Sequence, residues 1–111
     1  MNVISRTEEM LLLVVCRLQE EAFGIHIRKE VEAITGKRYS VGGIYVPLDR
    51  LVRKGLLITE EGKPTPERLG RPRRLYKISP DGLAALREAR ALHETLWTAL
   101  PELIVEKLRF S

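Results

Sequence analysis

In SVGGIYVPLDRLVRKGLL, Ser40 to Leu57, a helical turn of about 100° per residue puts Val41, Ile44, Leu48, Leu51 and Val52 on one stripe. Gly42, Gly43, Val46, Asp49, Arg50 and Arg53 fall on the other side. Ser40 is suited to cap the helix, because its hydroxyl can accept from the free amides of the first turn. Gly55 is suited to end it, because a residue past the last turn commonly needs a positive φ. Two glycines and a valine on the outer N-terminal face let the backbone come close to a partner. The arginines further along supply charge to hold that partner, and duplex DNA has the matching chemistry.

Working outward toward the C-terminus, Leu56 to Thr59 is apolar and β-branched, and Arg73 to Ser79 alternates around Leu75, Tyr76 and Ile78. Both are expected strands. The segment between them, EEGKPTPERLGRPR, holds three prolines and two glycines and can form neither helix nor ladder. A basic loop joining two strands behind a helical pair is a wing. Toward the N-terminus, Gly24 opens a helix from about Ile25 to Ile34, with Ile27, Val31 and Ile34 inward and Gly36 as its stop. With the Ser40 helix it makes a helix-turn-helix. Ser5 and Glu8 have capping-box spacing for a first helix from about Arg6 to Glu20. Leu11, Val14, Val15 and Leu18 form its stripe, and Leu12, Leu13 and Cys16 carry apolar character around it. A helix apolar on nearly every side hints at a second subunit covering part of it.

Ser79-Pro80-Asp81 starts a last helix with its cap, first-turn proline and first-turn acid in favourable places. Ala85, Ala89, Leu92, Leu96, Ala99 and Leu103 recur at spacings of four and three, the seam of a coiled coil. Pro101 interrupts that pattern, so a kink or a separate short helix from Pro101 to Leu108 is expected. The fold class is therefore mostly α with a small β-hairpin (α+β). Residues 1–79 form a winged helix-turn-helix DNA-binding unit and residues 80–111 a C-terminal dimerisation helix, within one compact domain.

Composition agrees with this plan. The 111 residues, 44% of them hydrophobic, suffice for one core. Lys37 to Lys77 carries eleven basic and four acidic residues, a charge of +7, whereas the rest carries eight and eleven, or −3. A basic middle third between acidic flanks marks a polyanion partner. MLLLVVC, Met10 to Cys16, follows two glutamates and is too short to span a membrane, which needs about 20 apolar residues. No membrane association and a cytoplasmic location are expected, and Cys16 reads as a small buried hydrophobe.

Catalytic chemistry finds no support. His26 and His93 have no nucleophile motif beside them, no HxxxH or CxxC pair offers metal ligands, and no loop has phosphate-cradling spacing. We therefore expect no enzyme, no cofactor and no metal. The DNA contacts expected are Lys37, Arg38 and Ser40 where the turn meets the backbone, with Ser40 and the amides behind it as a phosphate clamp. Gly42, Gly43 and Val46 would enter the major groove, Val46 against a thymine methyl. Arg50 and Arg53 would reach a base edge or a phosphate, unless Asp49 and Arg53 pair with each other. Tyr45 would pack its ring and offer its hydroxyl to a phosphate. Lys63, Arg68, Arg71, Arg73 and Arg74 on the wing would enter a flanking minor groove or follow the phosphates. Trp97, beside the seam, is either packing or the wall of a pocket for a small planar aromatic effector.

These segments resemble the PadR family of bacterial transcriptional regulators, over roughly Thr7 to Leu100. FGIHIRKEVE is similar to the family's aromatic-Gly-x-x-Ile opening. SVGGIYVPLDRLVRKGLL is similar to its Ser-x-Gly-x-aliphatic-Tyr, Leu-x-Arg-Leu and Gly-aliphatic pattern. PTPERLGRPRRLYKISPDGLAAL is similar to its Gly-Arg, basic-x-Tyr and Ser-Pro-x-Gly segments. One departure is that Val46 separates Tyr45 from Pro47, where the family usually has the proline directly after the tyrosine. The single short last helix resembles the subgroup of about 110 residues. The resemblance implies a nucleoid-associated repressor, a homodimer joined through the last helix and the first, and an effector cavity at the dimer interface. Two rivals remain at this stage: a winged-helix module for protein or RNA, and a metal or redox sensor.

Overall fold

The computed structural model describes residues 3–62 and 73–110. Helix α1 (Arg6–Leu18) opens with the expected capping box: Ser5 Oγ accepts from the Glu8 amide at 3.1 Å, and Glu8 Oε1 accepts from the Ser5 amide at 2.8 Å. A 3-10 turn, Gln19–Glu21, takes over where the helix was expected to run on to Glu20. Helix α2 (Gly24–Thr35) ends on Gly36 at φ 71°, and the Tyr39 amide donates to Glu32 at 2.8 Å to shape the turn that follows. Helix α3 (Val41–Arg53) is capped by Ser40, whose Oγ accepts from the Gly43 amide at 3.0 Å. It runs unbroken through Pro47. The ring removes the amide that would serve the Gly43 carbonyl, and Gly43 is exposed, so water can take that place.

Gly55, at φ 77°, turns the chain into β1 (Leu57–Glu61), which pairs antiparallel with β2 (Arg74–Ile78) from Leu57↔Ile78 to Glu61↔Arg74. Phe23 adds an isolated bridge to Leu75, and the Tyr76 amide donates to the Ala22 carbonyl at 2.9 Å, so the start of α2 is tied to the hairpin. Ser79 is buried. It donates to the Gly55 carbonyl at 2.6 Å and accepts from the Gly82 amide at 3.0 Å, which fastens α4 (Pro80–Trp97) to the end of α3. Helix α5 (Glu102–Phe110) follows.

The core is built from Leu11, Val14 and Val15 of α1, Ile27 and Val31 of α2, and Ile44, Leu48 and Leu51 of α3, closed by Leu56, Leu57, Leu75 and Tyr76. Several expectations change here. Leu12 is fully buried and Ala85 nearly so, because α1 packs against α2, α3, β2 and α4 of its own chain. Neither offers surface to a second subunit; of the α1 pair assigned to dimerisation, only Leu13 points outward. Val41, at 58% exposure, and Ile34, at 52%, are not inward, because each sits in an end turn of its helix. Ala99 does not continue the seam. It adopts φ 59° between α4 and α5, and the prolyl ring of Pro101 disfavours helix at Leu100, the residue before it. Leu103 consequently belongs to a separate helix. Cys16 is half-buried rather than buried, and that burial pushes its thiol pKa up.

The radius of gyration is 16.9 Å and the extents are 59 × 30 × 21 Å. A compact chain of this length would have about 13 Å. The excess is consistent with α5 and the end of α4, which bury none of their residues after Ala85.

Candidate nucleic-acid interface

Anchoring of α3 through Ile44, Leu48 and Leu51 leaves Gly42, Gly43, Val46, Asp49, Arg50 and Arg53 exposed along one outer face. A side chain built at Gly42 would meet nothing within 4 Å, so that glycine is not demanded by the packing of its own chain. Lys37 and Arg38 lie exposed in the turn before the cap. The Ser40 hydroxyl is engaged as an acceptor by Gly43, so a clamp there would use its O–H and the amides beside it.

The alternative pairing of Asp49 with Arg53 does not form. Asp49 lies 3.5 Å from Arg74 instead, and among the described residues no ion pair engages Arg50 or Arg53. Tyr45 is half-buried, with its ring and hydroxyl pressed onto Gly24 so tightly that a Cβ there would overlap them. That close approach gives the aromatic-Gly opening of α2 a physical purpose.

The two described wing arginines sit at the loop end of the hairpin, where Arg74 stands opposite Glu61. Arg73 stacks its guanidinium 3.9 Å from the centroid of the Phe23 ring, and Arg74 pairs with Asp49. Lys63, Arg68 and Arg71 lie outside the described residues. Phe23, Gly24 and Tyr76 were not among the expected site residues, although the structure puts them beside Tyr45 and Arg73. Their signal lay in motifs that pattern alone assigns to packing.

Helices α4 and α5 expose Leu83, Leu92, Leu96, Leu103, Leu108 and Phe110. Trp97 is 62% exposed and lines a shallow cavity of about 570 Å³ with Leu100, Val105 and Leu108. His93 holds α4 to α1 through Glu9 at 3.1 Å, and His26 lies 2.8 Å from the Glu21 carbonyl. Among the described residues, no group of three or more His, Cys, Asp or Glu lies together to hold a metal, and no helix is long and apolar enough to cross a membrane.

The family described as the transcriptional regulator PadR-like family matches residues 11–88. The transcriptional regulator Rv3488 of Mycobacterium tuberculosis is 43% identical over 61 residues, 55% of this chain and 53% of that protein. The chain thus spans about half the length of that relative. A PadR family transcriptional regulator from Eggerthella lenta superposes with a TM-score of 0.65 at 28% identity, covering 96% of this chain and 86% of its own. A PadR-like transcription factor from Bacteroides fragilis gives 0.67 at 27% identity, covering 81% and 82%. These relatives are regulators of transcription, not enzymes, and the winged-helix plan is common to them. The chain belongs to the PadR-like family of transcriptional regulators.

Proposed function

We propose that this chain is a homodimeric repressor that reads a pseudo-palindromic operator in double-stranded DNA. The observation that carries this is the outer face of α3. It is bare at Gly42 and Gly43, apolar at Val46 and cationic at Arg50 and Arg53, with Lys37 and Arg38 beside it. Insertion of its N-terminal half into a major groove would let Gly42, Gly43 and Val46 choose sequence while the arginines hold phosphates or a base edge. In this scheme residues 1–79 bind DNA and residues 80–111 join the subunits. The exposed apolar residues of α4 and α5 support a second copy as the partner, with half-sites about one helical turn, roughly 34 Å, apart.

The test is binding of duplex DNA from upstream of the chain's own gene, compared with random duplex and with RNA. Arg50→Ala should weaken operator binding by about 1–3 kcal/mol if Arg50 reads a base. Equal weakening on random duplex makes Arg50 a phosphate contact, and preference for RNA ends the operator scheme. A planar aromatic effector stacking on Trp97 would release the operator. Its test is Trp97 fluorescence across a panel of planar cationic compounds, and unchanged emission at high concentration removes the effector from the scheme.

A further inference from the structure

Asp49 is the one acidic residue of α3, and it stands exposed among that helix's outer residues. At a helical turn of about 100° per residue, Gly42, Val46, Asp49 and Arg53 fall within about 60° of one another. Asp49 follows Val46 by three residues, about 4.5 Å along the helix axis, and stacked base pairs are about 3.4 Å apart. A helix lying along a major groove with Val46 on one base pair therefore puts Asp49 beside the next one or two. The Asp49 side chain is 53% exposed and lies 3.5 Å from the Arg74 guanidinium, at the wall of a cavity of about 290 Å³ between α2, α3 and β2. Among the described residues no hydrogen bond is donated to its carboxylate. The same guanidinium interacts with the hydroxyl of Tyr76, a core residue, so Arg74 is held from the core side. It balances the charge of Asp49 and leaves the acceptor capacity of the carboxylate open. A pair this exposed adds little to stability, so a clasp between hairpin and helix is a poor account of an acid placed here.

Elsewhere this surface is bare or cationic, with Lys37, Arg38, Arg50 and Arg53 exposed along it. A lone carboxylate there would repel phosphates, and the Arg74 charge offsets that repulsion. An ionised carboxylate only accepts hydrogen bonds. In a major groove two bases offer it a donor, cytosine at N4 and adenine at N6. Adenine sets the acceptor N7 beside that amine, guanine presents two acceptors, and thymine an acceptor and a methyl group. Cytosine presents its amino group alone. We propose that Asp49 is a specificity-determining residue, accepting from N4 of one cytosine in each half-site while Arg74 balances its charge. The assignment rests on the proposed operator binding. It gives the outer face a polar reader, since Gly42, Gly43 and Val46 have no side-chain group that hydrogen-bonds.

The test is selection of bound sequences from a randomised duplex library by the full chain, followed by fluorescence anisotropy on single duplexes. The wild-type chain should enrich a C·G pair at one position of each half-site. Replacing that pair should weaken binding by about tenfold, the scale of one hydrogen bond to a charged group. Asp49→Ala should bind all four bases at that position equally. Asp49→Asn, whose amide offers a donor and an acceptor, should turn the preference to adenine through N6 and N7. Arg74→Gln should weaken binding to every duplex and keep the cytosine preference. Melting curves verify that all three variants are folded. An operator whose base preferences survive Asp49→Ala overturns the assignment and leaves the operator scheme standing. Loss of the same preference in Arg74→Gln also overturns it, because Arg74 or the placement of the hairpin would then do the reading. A wild-type chain that binds duplex but enriches no sequence overturns the operator scheme and the role of Asp49 together.

Discussion

At Gly82 a methyl group would run into the Leu56 carbonyl oxygen and the end of the Ile78 side chain. The carbonyl belongs to the segment that Ser79 fastens, so it cannot move aside cheaply. Gly82→Ala is therefore expected to cost about 1–3 kcal/mol, read as a lower denaturation midpoint. Glu8 offers a second prediction. Its burial raises the carboxyl pKa, but the hydrogen bond from Lys54, the Ser5 amide, and the charge of Lys54 together outweigh it and leave the value below the ordinary carboxylate range. A folded-state pKa below the unfolded one gives stability that is present above the unfolded value and fades as pH falls through the folded one. At neutral pH Glu8→Gln should be less stable by about 1–2 kcal/mol. The gap should close when denaturant midpoints are compared at acid pH; a gap that persists there would remove the ion pair as its cause.

Helix α3 shows stability and recognition pulling on the same residue. Nothing surrounds a Cβ at Gly42, so Gly42→Ala should stabilise the chain by about 0.5–1 kcal/mol through helix propensity. Should that backbone approach DNA closely, the same methyl weakens operator binding. A variant that melts higher and binds equally well would show that the bare face does not touch DNA. Helices α4 and α5 pose a different problem. Pro101 and the left-handed Ala99 split what would be one long seam, so α4 and α5 do not carry one continuous apolar stripe.

Taken whole, the molecule is a packed winged helix with an extended arm whose apolar residues are exposed, and the proposed dimer would cover them. Leu96→Glu on the exposed end of α4 should turn the proposed dimer into a monomer in sedimentation equilibrium without loss of helical circular dichroism, because Leu96 is largely exposed in its own chain. An unchanged mass would move the interface elsewhere. The +7 charge of the middle segment should make duplex affinity fall with salt, with a log–log slope of about −0.9 for each phosphate neutralised. A flat salt response would contradict the electrostatic basis of binding.

Element order, the serine caps at Ser5, Ser40 and Ser79, the turn glycines and the outer face of α3 were legible in the chain, because caps, periodicity and turn chemistry act over a few residues. The regulator family was legible for the same reason, since its motifs are local. Burial was not. Periodicity says which residues share a stripe but not what lies across from it. Leu12 and Ala85 thus read as a dimer surface until four neighbouring elements were seen to close over α1. Arg73 and Arg74 read as wing arginines reaching for DNA, whereas the fold stacks Arg73 on Phe23 and pairs Arg74 with Asp49. The cavity between α2, α3 and β2 had no sequence signal at all. Its groups come from positions around 24, 45 and 75, and only the packing of α2 against the hairpin brings them together.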